Sequence, residues 1–222
     1  MIKKLGICGD SFMNGYDSEI HWSGQLSHFF DTLPDQVNLS IGGISNIAIA
    51  SQVRNIVNYD CDAIVISFTE PARFDIDLNP DQHIDCSVPP HLTRSNYANR
   101  WRGSTSSKLS DVESKFRNLY HGLMSNDWLA LQSYYVILST LHFLTKLKIN
   151  FAYSLGGFVI PNNFFNRFCI PDELLQFESN MIKTNLWHYP GETVLNGFHV
   201  YNQAYQKRFL DDTIKTLNQN DR

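Results

Sequence analysis

Ser11 stands in Cys8-Gly9-Asp10-Ser11-Phe12, directly behind the apolar run Leu5-Gly6-Ile7-Cys8. A serine hydroxyl becomes a useful nucleophile only when a base takes its proton. His199, in Asn196-Gly197-Phe198-His199 near the other end of the chain, is the best candidate for that base. Asn196 can orient the imidazole through its side-chain carbonyl, although an amide does not stabilise imidazolium as a carboxylate does. Two further places carry polar groups that suit acyl transfer. Gly42-Gly43 follows a second apolar segment, where a glycine N–H can point at an oxyanion. Thr69, in Ser67-Phe68-Thr69-Glu70, can donate one hydroxyl hydrogen bond.

These residues need elements that bring them together. Four strands are predicted: Lys3–Cys8, Gln36–Ile41, Asp62–Phe68 and Ile149–Leu155. The third is a nearly continuous apolar run, the pattern of a strand covered on both faces. Helices are predicted between and after them. Trp22–Leu33 stops at Pro34. Asn46–Tyr59 carries Ile47, Ile49, Ala50, Val53, Ile56 and Val57 at helical spacing, with Ser45 or Asn46 as its cap. A long helix starts at Ser125-Asn126-Asp127, and its apolar side is expected along Trp128, Leu131, Tyr135, Leu138, His142 and Leu147. The last helix spans roughly Asn202–Leu217. Such alternation predicts an α/β domain with a parallel sheet and helices on both faces. Ser11, Gly43 and Thr69 all follow strands, and the carboxyl edge is where open α/β sheets bind ligands.

Two insertions follow strands on that same edge. Pro71 to Ser110 holds Pro71, Pro80, Pro89 and Pro90 and shows no periodicity, which suggests a lid or side wall. Ser110-Asp111-Val112-Glu113 is a capping box opening the helix after it. Gly156 to Pro171 carries Phe158, Phe164, Phe165 and Phe168, either an apolar wall or packing under a long loop.

The bulk composition narrows the field. The chain has 222 residues, 43% of them hydrophobic, enough for one sizeable core and a single domain over 1–222. A net charge of −4 and the absence of a Lys/Arg stripe argue against nucleic-acid binding. The four cysteines, Cys8, Cys61, Cys86 and Cys169, show no CxxC spacing, so neither a disulfide framework nor a zinc site is suggested. Cys8 and Cys61 read as small buried hydrophobes. His83, Asp85, Cys86 and His91 are metal-capable types, but their spacing fits no zinc pattern. His188 is a back-up base; His21, His28, His121 and His142 read as helix-face residues. No signal peptide or membrane span is evident, and a cytoplasmic location is expected.

In these motifs the chain resembles the SGNH (GDSL-type) hydrolases. The resemblance covers most of the chain and implies a flavodoxin-like, three-layer α/β/α sandwich around a parallel sheet of about five strands. Gly9-Asp10-Ser11 matches the first block, which makes Ser11 the nucleophile and its N–H part of the oxyanion hole. Asn38-Leu39-Ser40-Ile41-Gly42-Gly43 looks like the second block, with Gly43 as the second oxyanion N–H. Gly197-Phe198-His199 is similar to the last block, with His199 as the base. Asp10 joins Gly43 and Thr69 on the oxyanion and substrate side. Two positions depart from the family pattern. The third block normally reads Gly-x-Asn-Asp, whereas here Thr69 stands where the oxyanion asparagine would be. The last block normally offers Asp-x-x-His, whereas this chain has Asn196. The short form and divergent third block are similar in style to SGNH-like proteins of bacteriophage genomes, which implies a host-cell cytoplasm.

The expected activity is hydrolysis of a carboxylic ester, on a small molecule or a carbohydrate such as an O-acetyl sugar, through a Ser–His acyl-enzyme. No cofactor, metal, nucleic acid or membrane is expected, and the oligomeric state stays open. The alternative is a protein that kept the fold as a binding or structural module, since fold does not dictate function. Nucleotide binding ranks last, because no Gly-rich phosphate loop is present.

Overall fold

A computed structural model of the chain describes residues 2–13, 21–28, 34–42, 44–71, 74–75, 95–96, 126–156, 173–184, 186 and 202–220. The central sheet contains β1 (Lys4–Cys8), β2 (Asp35–Asn38), β3 (Ala63–Ser67) and β6 (Asn150–Ser154). Their order is β2-β1-β3-β6, and every pairing is parallel. A separate antiparallel pair joins β4 (Phe74–Asp75) to β5 (Ser95–Asn96). It falls inside the segment expected to be irregular, and the rest of residues 76–110 lies outside the described residues.

Strand alternation explains the three layers. Side chains on a strand point alternately to opposite faces. Thus Ile64 and Ile66 of β3 pack on one side of the sheet with Phe151 and Tyr153 of β6, while Ala63 and Val65 pack on the other with Ala152. Both sets are buried, because parallel sheets carry helices on both faces. The first face is covered by α1 (Asn46–Ile56) through Ile49, Val53 and Ile56, and by α2 (Asn126–Lys146) through Tyr134, Ile137, Leu141 and Leu144. The second face is covered by α3 (Gln203–Asn220) through Phe209, Leu210 and Leu217, and by the 3-10 helix Trp22–His28 through Trp22 and Leu26. Full burial of each such aliphatic side chain contributes about 1.5–3 kcal/mol.

The strand expectations differ from the structure only by a residue or so at most ends, and β2 is shorter than predicted. A sheet of about five strands was expected, and four are ladder-paired. At the far edge of β6 a single parallel bridge joins Tyr153 to Met181, and the Ile182 N–H donates to the Tyr153 carbonyl at 2.7 Å. This is the position a fifth strand would take, but the chain there passes from the 3-10 helix Glu173–Asn180 and makes a single rung among the described residues.

Two helix expectations are corrected. Residues 22–28 form a 3-10 helix rather than the start of an α-helix over 22–33. On α2 the buried side is Leu129, Ala130, Tyr134, Ile137, Leu138, Leu141 and Leu144, which includes the expected Leu138, whereas the expected Trp128 and Tyr135 are 43% and 53% exposed. This helix is apolar around most of its circumference, so periodicity did not single out the core-facing side. The predicted helix after Ser110 and the wall over 157–171 lie outside the described residues. No described helix is long and apolar enough to cross a membrane.

Candidate functional site

Ser11 sits where β1 ends, in a turn over residues 10–13 closed by the Met13 N–H donating to the Asp10 carbonyl at 3.0 Å. The turn begins at Gly9, whose φ of +151° is a backbone setting that L side chains rarely adopt. An added Cβ there would lie 3.0 Å from the Ser67 carbonyl, so the bend also needs the missing side chain. Asp10, Phe12 and Met13 are buried around it, and Ser11 alone is half-exposed. In a flavodoxin-like strand order the ligand crevice lies at the switch point between the first and third strands. Ser11 follows one of these and Thr69 the other.

Asp10 and Thr69 meet beneath that switch point. Both are fully buried, and the Thr69 hydroxyl donates to Asp10 Oδ2 at 3.0 Å. The Phe12 N–H donates to Asp10 Oδ1 at 3.0 Å. A threonine hydroxyl carries one hydrogen. Expected as an oxyanion donor, Thr69 here directs that hydrogen at Asp10 and ties the Ser11 loop to the end of β3. Thr69→Val keeps the side-chain shape and removes the donor. It is expected to lower unfolding stability by about 1–3 kcal/mol, because a buried carboxyl group loses one of its hydrogen bonds. Thr69→Ser is expected to recover most of the loss. Equal urea midpoints for wild type and Thr69→Val would show that Asp10 does not depend on this bond.

Two side chains not predicted for the site, Asn46 (read only as a possible helix cap) and Gln52, complete the frame. Asn46 donates from Nδ2 to the Thr69 carbonyl at 2.9 Å and accepts the Thr69 N–H on Oδ1 at 2.8 Å. The N-cap of α1 is Ser45, whose Oγ accepts from Ile47 and Ala48, so Asn46 is left to clamp the β3 loop instead. Gln52, 1% exposed, accepts the Gly9 N–H on Oε1 at 2.8 Å. A glutamine between Ile49, Val53 and Ile56 on a core-facing stripe was the available signal, since a buried polar group needs a partner.

His21, expected on a helix face, is also buried and lies beside this loop. Its Nε2 is 3.0 Å from the Phe12 carbonyl, and its Nδ1 is 2.7 Å from Ser23 Oγ. A carbonyl only accepts, so Nε2 carries the hydrogen, while Nδ1 accepts the Ser23 N–H at 3.3 Å. The ring thus braces the Ser11 loop with both nitrogens engaged. Cys8 is buried next to the site, and burial pushes its thiol well above the ordinary range, so it is a packing residue rather than a nucleophile. His199, Asn196, Gly43 and His188 lie outside the described residues, as do His83, Asp85, Cys86 and His91.

No protein-family model matches the chain, and no curated protein does. Solved structures do. TesA superposes over 98% of this chain and 99% of its own, with a TM-score of 0.52 at 13% identity. A G-D-S-L family protein from Desulfitobacterium hafniense DCB-2 aligns over 95% and 97%, with a TM-score of 0.46 at 11% identity. The likeness to TesA shows the fold alone: a parallel sheet flanked by helices on both faces.

Proposed function

We propose that this protein is a serine hydrolase acting on carboxylic esters. The observation that carries the reading is the setting of Ser11. It is the half-exposed residue of a rigidly braced turn at the carboxyl edge of β1, beside the switch point of the sheet. His199 takes the Ser11 proton as Oγ attacks the ester carbonyl, and the N–H groups of Ser11 and Gly43 hold the developing oxyanion. His199 then returns the proton to the leaving alcohol, and an acyl-Ser11 remains. Water attacks the acyl group with His199 again as base, and the acid is released. Asn196 orients the imidazole. Thr69 acts through Asp10 as a positioning residue, which leaves the oxyanion with backbone donors. The substrate is a small or carbohydrate-borne ester, such as an O-acetyl group. No cofactor enters this scheme.

The test is covalent capture. A fluorophosphonate is expected to add its phosphonyl group to Ser11, seen as a mass increase on the peptide containing that residue, and His199→Ala is expected to suppress it. Absence of labelling in the wild type would instead favour a binding or structural protein on the same fold.

A further inference from the structure

Phe12, the residue after Ser11, is held at both of its peptide groups. Its N–H donates to Asp10 Oδ1 at 3.0 Å, and its carbonyl accepts from His21 Nε2 at 3.0 Å. His21 is buried, and its ring stands against Trp22 with centroids 5.6 Å apart. Nothing in the hydrolytic scheme uses this imidazole. A neutral imidazole offers one donor and one acceptor. The neighbours of His21 call for that pair, since the Phe12 carbonyl needs a donor and the Ser23 N–H an acceptor.

The same 3-10 helix is tied to α3. The Trp22 N–H donates to Gln206 Oε1 at 3.2 Å, and the Trp22 and Phe209 rings stand 5.5 Å apart. Gln206 is buried beside Phe209 and Leu210, and a buried carboxamide needs such a partner. Other hydrogen bonds hold the turn from the rest of the molecule: Gln52 from α1, Asn38 and Ile41 from the end of β2, and Thr69 from the end of β3. Among the described residues, the chain Gln206–Trp22–His21–Phe12 is the link that reaches the turn from α3. That helix begins four positions after His199 in the sequence.

We propose that His21 is a positioning residue for Ser11. As the Nε2–H tautomer it fixes the Phe12 carbonyl, and through Trp22 and Gln206 it keeps the nucleophile turn in register with α3. The brace stands on these contacts; its part in catalysis rests on the hydrolase reading above. A turn released at Phe12 still admits an ester, but Oγ spends less time in the attacking geometry. The loss therefore falls on kcat and spares KM.

Two variants separate the hydrogen bond from the bulk of the ring. His21→Phe keeps a ring against Trp22 and removes both nitrogens. His21→Gln keeps an amide donor that can reach the Phe12 carbonyl. Turnover of p-nitrophenyl acetate is measured per fluorophosphonate-reactive site, so that an unfolded fraction drops out. His21→Phe is expected to lower kcat about tenfold at nearly unchanged KM, and His21→Gln to recover most of that loss. Gln206→Met removes the acceptor of the Trp22 N–H and is expected to lower kcat in the same way. Added to His21→Phe it is expected to cost little more, because both changes break one chain. Independently of activity, imidazole nitrogen NMR signals of the Ser11→Ala protein are expected to show the His21 hydrogen on Nε2. The opposite tautomer, wild-type kcat in His21→Phe, or effects of the two substitutions that simply multiply would overturn the proposal. Should His21→Phe fail to fold, wild-type kcat in Gln206→Met would overturn it instead. The expected tautomer without fluorophosphonate labelling of the wild type would overturn the catalytic role together with the hydrolase reading. Labelling with kcat untouched by His21→Phe would overturn the positioning role and leave the hydrolase.

Discussion

Ser11→Ala is expected to reduce hydrolysis of p-nitrophenyl acetate by about a thousandfold or more. The proposed mechanism is routed through one hydroxyl, and alanine leaves no nucleophile in its place. The oxyanion donors of that proposal are backbone groups that survive the change, so a residual rate above the uncatalysed reaction is expected. The fold is expected to tolerate the substitution. Ser11 is half-exposed, and the bonds that shape its turn run from Met13 N–H, Phe12 N–H and Gly9 N–H, none of which belongs to the serine side chain. Unfolding midpoints should therefore agree within the scatter of an ordinary surface substitution, about 0.5 kcal/mol. Equal rates for the two proteins would remove the serine mechanism, whatever fold they share.

Gly156→Ala is expected to be the most damaging single methyl in the described structure, lowering stability by about 3–5 kcal/mol. Gly156 follows β6 with φ +58°, left-handed backbone that costs an alanine about 1–2 kcal/mol by itself. The larger cost is steric. A Cβ at this position would stand 1.7 Å from the Phe68 carbonyl oxygen and 2.9 Å from its carbon. Backbone cannot rotate away as a side chain can, so the ends of β3 and β6 must part. That seam is held by the Phe68 N–H donating to the Ser154 carbonyl at 2.9 Å. Thr69 is the next residue, so the displacement is expected to reach Asp10 and the Ser11 turn. Urea unfolding should show a fallen midpoint at unchanged slope, with esterase activity reduced even in the fraction that stays folded. An unchanged midpoint would mean that the β6 end moves freely from Phe68.

The legible part of this protein is the part written in local patterns. The apolar run through Ala63–Ser67 and the strand–helix alternation identify a parallel α/β sheet, because covering both faces of a strand requires apolar residues at successive positions. Ser11 and Thr69 could be placed at strand ends for the same reason. The core-facing side of α2 could not be read, since Trp128 and Tyr135 are as apolar as the residues that pack, and only the neighbouring β3 and β6 select which side is buried.

Residue types along the chain thus determined the layered architecture and the strand-end position of the candidate nucleophile. The tertiary structure decided the partnerships. Asp10 and Thr69 are 59 positions apart and Asn46 lies between them, yet they form one buried network because β1 and β3 are adjacent in the sheet. Strand order arises from packing among all layers at once, and no local pattern encodes it. That adjacency turns the Thr69 hydroxyl toward a carboxyl group rather than toward the crevice.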